Sequence, residues 1–160
     1  MSEYSRRLVI APWRDAINIV KKAVQCDPKI SAIKEAPEQE QFPTYMKFRR
    51  RVFDLPNIFP DWQDRLKDAK GIYLLTFSDG QQYVGSASGQ QGFWQRWNDY
   101  VRTGNGNNRV LKQDSRNAKN DATVSILEVT GSALTREEII EREMNWQMKL
   151  GSRAKPLDDR

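Results

Sequence analysis

Two tripeptides, Gly71-Ile72-Tyr73 and Tyr83-Val84-Gly85, constrain the fold of this chain more than any other feature, because they flank one tight turn. Residues 71–77 and 81–84 are rich in β-branched and aromatic side chains, which is typical of β-strands. The Ser78-Asp79-Gly80 segment between them is typical of a hairpin loop, since glycine readily adopts a left-handed backbone conformation. The sequence therefore predicts an antiparallel hairpin with one tyrosine on each strand.

The length of the hairpin loop decides whether the two tyrosines share a face of the sheet. They are ten residues apart, so they share a face only if the loop has an odd number of residues. A three-residue loop pairs Tyr73 with Gly85 and Leu75 with Tyr83, all on one side. A two-residue Asp79-Gly80 turn would place the two rings on opposite faces. We favour the three-residue loop.

The remaining pattern predicts an α+β domain. Thr135 and Glu138 have the spacing of a capping box, which predicts a helix from Thr135 to Leu150 that is closed by Gly151. Helices are also predicted over residues 13–24, 61–69 (with Asp61 as its cap), 93–101 and 108–115; strands over 8–10 and 123–129; and a loop over 27–43. With the hairpin, these strands and helices predict an α+β fold, in which residues 8–24 form an N-terminal strand and helix.

Composition favours a polyanionic partner. The 160 residues include 26 basic and 21 acidic side chains, a net charge of +5 with a pI near 9.4. Between residues 96 and 119, six basic side chains stand against two acidic ones. A Lys47-Phe48-Arg49-Arg50-Arg51 run adds a second basic cluster, which either grips phosphates or forms a solvated face.

The near absence of cysteine and histidine excludes several classes of site. The chain has no histidine and one cysteine, so it offers no zinc cluster, no histidine base and no internal disulfide. A reducing cytoplasm is the expected setting. The longest early apolar run, Leu8-Val9-Ile10, is too short for a signal sequence or a membrane span.

Glu143 lies on the apolar side of the last predicted helix. On a helical wheel it falls between Ile139 and Ile140, within an arc that also contains Met144, Trp146, Met148 and Leu150. A carboxylate facing inward needs a cationic partner, because an unpaired buried charge is costly. The partner is either an arginine, in an internal salt bridge, or a bound cation; alternatively, Glu143 lies at the edge of the arc and reaches solvent.

These motifs resemble the GIY-YIG nuclease family in the order in which that family presents them. The matching segments are Gly71-Ile72-Tyr73, Tyr83-Val84-Gly85-Ser86-Ala87, Arg96-Trp97, Ser125-Ile126-Leu127-Glu128, and Ile140-Glu141-Arg142-Glu143 followed by Trp146 and Leu150. The resemblance covers residues 71 to about 158, and five ordered elements are far more specific than the two tripeptides alone.

The resemblance implies a small antiparallel sheet of three strands flanked by helices. It also implies a metal-dependent endonuclease that hydrolyses phosphodiester bonds in DNA. By this resemblance Tyr73 and Tyr83 would line the site, Arg96 would contact the scissile phosphate, and Glu143 would bind the single Mg²⁺ or Mn²⁺ ion. Further expected substrate contacts are Gly85, Tyr100, Asn108 (or its neighbour Asn107) and Arg109. Two positions depart from the family: Asp158 stands where relatives often have asparagine, and residues 86–95 contain neither lysine nor histidine.

These residue types also suit the metal-dependent hydrolysis of phosphodiester bonds on chemical grounds. Mg²⁺ keeps most of its waters and takes one or two carboxylates, so one inward glutamate is enough. A guanidinium neutralises charge that grows on a phosphate. The alternative function is a nucleic-acid-binding module of the same fold in which cleavage is weak or lost.

The domain organisation predicted is an N-terminal extension over residues 1–70 and a catalytic domain over 71–160. The extension contains no recognised DNA-reading motif, and we expect it either to contact DNA or to mediate dimerisation. DNA is the expected partner, together with either a second copy of the chain or a separate protein that reads the sequence.

Overall fold

The computed structural model describes residues 8–10, 30–33, 40–131, 133–151 and 154–157. The chain divides into two compact units, Met1–Gln41 and Phe42–Arg160. Residues 42–70, which the sequence assigned to the N-terminal extension, therefore pack with the unit that contains the hairpin. No described helix is both long enough and apolar enough to cross a membrane.

The first unit contains one described pair of strands. Strand β1 (Leu8–Ile10) pairs antiparallel with β2 (Ile30–Ile33). The predicted strand over 8–10 is confirmed, whereas β2 falls within the stretch 27–43 that was predicted to be a loop. The helix predicted over 13–24 lies outside the described residues.

The second unit is built on a five-stranded sheet with the order β3-β6-β4-β5-β7. Its strands are β3 (Arg49–Arg51), β4 (Lys70–Phe77), β5 (Gln82–Ala87), β6 (Ala122–Thr130) and β7 (Ala154–Pro156). All neighbours are antiparallel except β5 and β7. The α+β class is confirmed, and the three predicted strands form the centre. The two edge strands were not predicted, because three arginines and Ala-Lys-Pro carry no hydrophobic alternation.

Helices flank the sheet. They are α1 (Pro60–Asp68), α2 (Gly92–Thr103), α3 (Arg109–Gln113), α4 (Ala118–Asp121) and α5 (Arg136–Leu150), with 3-10 helices at Tyr45–Lys47 and Val52–Asn57. The capping box of Thr135 and Glu138 is confirmed. The predicted cap of α1 is wrong: Asp61 lies inside the helix, which begins at Pro60 after Phe59. Proline suits the first helical position because that residue needs no N–H donor.

The hairpin of β4 and β5 has the predicted register. Tyr73 pairs with Gly85 and Leu75 pairs with Tyr83. The N–H of Phe77 donates to the carbonyl of Gln81, and the N–H of Gly80 donates back to Phe77, both at 3.0 Å. The three-residue loop is therefore confirmed.

The two faces of the sheet have different coverings. The first face carries Tyr73, Leu75 and Tyr83 and packs against an aromatic layer that includes Phe93 and Trp97 of α2. The second face carries Ile72, Leu74 and Val84, and α5 packs on it through Ile139. Helices α2 and α5 thus lie on opposite sides of the same strands.

Helix α5 presents a narrower inner face than its sequence predicts. Ile139 is 1% exposed and Glu143 is 6% exposed, so the inward position of this carboxylate is confirmed. Met144 and Met148, placed by the helical wheel in the apolar arc, are exposed. A single helix on a sheet buries only the stripe that touches the strands, and these methionines lie beyond that stripe.

Gly71 is required by a bulge between β4 and β6. The register shifts after Ile72, which pairs with Glu128, whereas Tyr73 pairs with Ile126. The φ angle of Gly71 is +153°, and a Cβ atom there would lie 2.0 Å from the backbone oxygen of Glu128. No side chain larger than hydrogen fits this position without displacing β6.

We therefore expect Gly71→Ala to lower the free energy of unfolding by about 3 kcal/mol, because backbone strain and a steric clash act together. Urea denaturation of both proteins measures the loss. Gly131→Ala is the matched control, since nothing lies within 4 Å of the added methyl group. Equal midpoints for the two variants would contradict the expected clash.

Candidate active site

Arg96 of α2 is held in place by three contacts. Its Nε donates to the hydroxyl of Tyr73 at 3.2 Å, and its Nη1 donates to the carbonyl of Gly106 at 3.3 Å. Its Cζ lies 5.3 Å from the centre of the Tyr100 ring, within cation–π distance. The position of the guanidinium is therefore set by the protein before any ligand arrives.

Tyr73 and Tyr100 form the support beneath this arginine. Their hydroxyl oxygens are 2.7 Å apart, and both side chains are fully buried. Burial raises the pKa of Tyr100 well above its usual value, so this phenol stays neutral. The structure thus brings Tyr73, Tyr100 and Arg96 together, with the two phenols behind the arginine.

Gly85 leaves room for the Tyr73 hydroxyl. A Cβ atom on Gly85 would lie 2.6 Å from that oxygen and 3.0 Å from Cδ1 of Leu157. Gly85 is itself buried between them. The sequence predicts that Gly85 contacts substrate. In the structure Gly85 packs under Tyr73 instead.

Glu143 and Arg96 line the same cavity. This cavity has a volume of about 400 Å³ and lies beyond the end of β5, between α2 and α5. Its charged lining residues are Arg96, Asp99, Arg136 and Glu143, and Ser86, Ser88 and Gln95 add neutral polar groups. Oε1 of Glu143 accepts a hydrogen bond from Nε2 of Gln147 at 3.1 Å. The two residues that the sequence assigned to phosphate and metal therefore meet at one opening.

The donor atoms of this cavity suit a hard cation. Carboxylate, hydroxyl and amide oxygens are the ligands that Mg²⁺ prefers. Among the residues that the structure describes, no group of three or more His, Cys, Asp and Glu side chains could hold an ion. The residues present fit an ion that keeps most of its waters and takes Glu143 as its protein ligand.

Tyr83 does not line this cavity. Its hydroxyl donates to Oδ2 of Asp114 at 2.7 Å, and Nζ of Lys155 on β7 donates to the same oxygen at 2.7 Å. Lys155, and after it Tyr83, lowers the pKa of the Asp114 carboxyl. Burial, and next the bond to Asp114, raises the pKa of Tyr83 to about 12. The phenol of Tyr83 is therefore protonated near neutral pH and anchors the edge strand.

Asn108 and Arg109 also lie outside the cavity lining. Asn108 is fully buried; its Oδ1 caps α3 by accepting from the N–H of Leu111 at 3.1 Å. Its Nδ2 donates to the carbonyl of Leu157 at 3.0 Å. Asn108 thus ties α3 to the C-terminal segment, and Arg109 is exposed. Asp158 lies outside the described residues.

Sequence reasoning missed Arg136 and Asp99. Arg136, Ile140 and Glu143 all line the cavity and have the i, i+4, i+7 spacing of one helix face. That spacing was the available signal for Arg136. Asp99 follows Arg96 by three residues on the same face of α2, so the same spacing was available for it, and it pairs with Arg102 at 2.9 Å.

Comparison of the chain with protein-family models, with curated proteins and with solved structures found no match. The fold and the site define a class by themselves: an α+β domain in which two helices, on opposite faces of a mostly antiparallel sheet, bring an anchored arginine and a buried carboxylate to one cavity.

Proposed function

We propose that this chain is a metal-dependent endonuclease that hydrolyses phosphodiester bonds in DNA. One observation carries the proposal: Arg96, already held by Tyr73 and Gly106, and the buried Glu143 line one cavity of about 400 Å³. A fixed guanidinium beside a carboxylate of this kind is what phosphodiester hydrolysis with a hard cation needs. The single cysteine suits the reducing cytoplasm that we propose as its compartment.

The order of the elements supports the same proposal. Strands β4, β5 and β6 are mutually arranged as an antiparallel centre, α2 follows β5, and α5 follows β6. This order accords with the resemblance to GIY-YIG nucleases, whose module we propose for residues 70–157. Strands β3 and β7 would then be additions at its two edges.

In the proposed mechanism Arg96 binds a non-bridging oxygen of the scissile phosphate. Its charge offsets the negative charge that grows on the phosphate as a water oxygen bonds to phosphorus and the P–O bond to the leaving sugar oxygen breaks. Solvent returns a proton to that leaving oxygen. Tyr73 accepts from Nε of Arg96 and so directs the remaining guanidinium donors. Glu143 would hold Mg²⁺ or Mn²⁺, one ion per site, which supplies charge neutralisation and a more acidic water.

A second candidate function is a nucleic-acid-binding module that does not cut efficiently. The observation that favours it is the placement of the tyrosines: Tyr73 and Tyr83 are both fully buried, and neither lines the cavity. Neither of these two phenols is therefore in position to take a proton from the attacking water. In the endonuclease that we propose, solvent takes this proton.

Cleavage of DNA by the purified protein separates the two candidates. Supercoiled plasmid, linear duplex, branched DNA and single strands are incubated with Mg²⁺ or Mn²⁺, and with EDTA as the control. We expect nicked or linear products that require the metal. If no substrate is cut with either metal while duplex DNA is still bound, the binding module is the correct function.

Tyr83→Phe tests whether the second tyrosine takes part. We expect the free energy of unfolding to fall by about 1 kcal/mol, because the hydrogen bond to Asp114 is lost. We expect the rate of metal-dependent cleavage to stay unchanged, since this hydroxyl is bonded to Asp114 and does not line the cavity. Urea denaturation and plasmid nicking measure the two effects. A large loss of cleavage at unchanged stability would restore Tyr83 to the site.

A further inference from the structure

The arginines of β3 are divided between the two faces of the sheet. Arg50 pairs with Val124 of the first face, and its guanidinium lies 4.9 Å from the centre of the Trp62 ring. Arg49 and Arg51 pair with Ser125 and Thr123 and so belong to the second face, where both are exposed. The three arginines of the basic run therefore comprise one packing residue and two exposed cations.

Arg51 begins a row of polar residues that crosses four strands. It pairs with Thr123 of β6, which pairs with Thr76 of β4, which pairs with Gln82 of β5. We call these four residues the polar row. The three uncharged members are partly exposed, in contrast to Ile72, Leu74 and Val84, which α5 buries farther along the same face.

The polar row and Arg49 form a surface with unbalanced positive charge. Neither Arg49 nor Arg51 makes a side-chain hydrogen bond or ion pair with any described residue. The row itself contains no carboxylate. Of the acids within three residues of the row in the chain, Asp79 is paired with Arg116 at 2.6 Å, Asp121 ends α4, and Asp54 lies in the 3-10 helix Val52–Asn57 that follows Arg51. Two cations flanked by hydroxyl and amide groups suit a ligand with many anionic oxygens.

We propose that the polar row and Arg49 bind the phosphate backbone of duplex DNA outside the cavity. The choice of DNA as the polyanion rests on the proposed function. The row spans three strand spacings, about 14 Å, and Arg49 and Arg51 are about 7 Å apart along β3. Because duplex DNA carries one charge per ~1.7 Å of its axis, the two guanidinium groups reach different phosphates.

The test compares two double variants that lose the same charge. Arg49→Gln/Arg51→Gln removes both cations of the surface, and Lys67→Gln/Lys112→Gln removes two from α1 and α3. Binding to a fluorescein-labelled 30-base-pair duplex is measured by anisotropy in EDTA over a range of KCl. Each phosphate contact contributes about 0.9 to the slope of log affinity against log salt. We expect the arginine variant to lose about 1.8 of this slope and about tenfold or more in affinity.

Gln82→Glu tests the far end of the polar row. It is nearly isosteric and places a negative charge three strands from Arg51, so we expect the affinity to fall about threefold. Melting temperatures of all variants should match the wild type, because every substituted side chain is partly or fully exposed. An unchanged affinity for Gln82→Glu would overturn the claim that the DNA crosses the row.

The outcomes separate this inference from the proposed function. If the arginine variant binds with the wild-type slope while the wild type cuts DNA, the surface is wrong and the nuclease stands. If the wild type binds through these arginines but never cuts, the surface stands and the nuclease falls. A wild-type protein that does not bind duplex DNA at all overturns the surface.

Discussion

Glu143→Gln is expected to lower the initial rate of metal-dependent DNA cleavage by about a thousandfold or more. Glu143 is the carboxylate that α5 turns inward, and it lines the cavity together with Arg96. Glutamine keeps the size and the hydrogen-bonding oxygen but removes the charge that would hold Mg²⁺. Plasmid nicking at several Mg²⁺ concentrations measures the loss, which added metal should not restore.

Stability supplies a second, independent readout for the same variant. Without metal, the melting temperature of Glu143→Gln should stay close to that of the wild type, because glutamine keeps the size of the side chain and the oxygen that accepts from Gln147. With Mg²⁺, the wild type should gain stability and the variant should not. Glu141→Gln, exposed on the same helix, is the matched control and should behave as the wild type in both assays. If Mg²⁺ raises the melting temperature of Glu143→Gln as much as that of the wild type, Glu143 is not the metal ligand.

Arg96→Lys should reduce the cleavage rate by about a hundredfold although the positive charge is kept. Lysine lacks the planar fork that lets one guanidinium bond Tyr73 and Gly106 and still face a phosphate. The loss should fall on kcat, because many other cations contribute to DNA affinity. Single-turnover cleavage with excess protein isolates this step.

The control for this substitution is Arg102→Lys, on the same helix. Arg102 is exposed and pairs with Asp99, so its replacement should leave the single-turnover rate unchanged. If Arg96→Lys cuts at the wild-type rate, charge alone suffices and the hydrogen bond from Arg96 to Tyr73 has no part in positioning. If both variants lose activity equally, the loss arises from a change near Asp99 and not from the lost contacts of Arg96.

Local rules of the sequence predicted the centre of the fold and the inward position of Glu143. The register of the hairpin follows from the parity of its loop, and the start of α5 follows from Thr135 and Glu138. The inward position of Glu143 follows from helical periodicity. Each of these depends on residues within one or two elements, where side-chain spacing and backbone geometry determine the outcome.

What the sequence did not predict depends on contacts between distant segments. The packing of β7 against β5 lets Tyr83 and Lys155 both donate to Asp114, and it lets Asn108 donate to the carbonyl of Leu157. A three-residue edge strand has almost no intrinsic signal, since its pairing comes from the neighbouring strand. Tyr83 and Asn108 were expected to contact the ligand. In the structure their hydrogen bonds instead anchor the C-terminal segment.

The placement of α2 and α5 on opposite faces of the sheet has a mechanical consequence. Arg96 and Glu143 are carried by separate helices. The strands between these two helices hold the helices at a fixed separation. The distance between the two helix backbones cannot change without separating a helix from the sheet. If the chain acts on DNA as proposed, adjustment beyond side-chain movement therefore falls to the DNA, whose backbone would bend to bring a phosphate between the two helices.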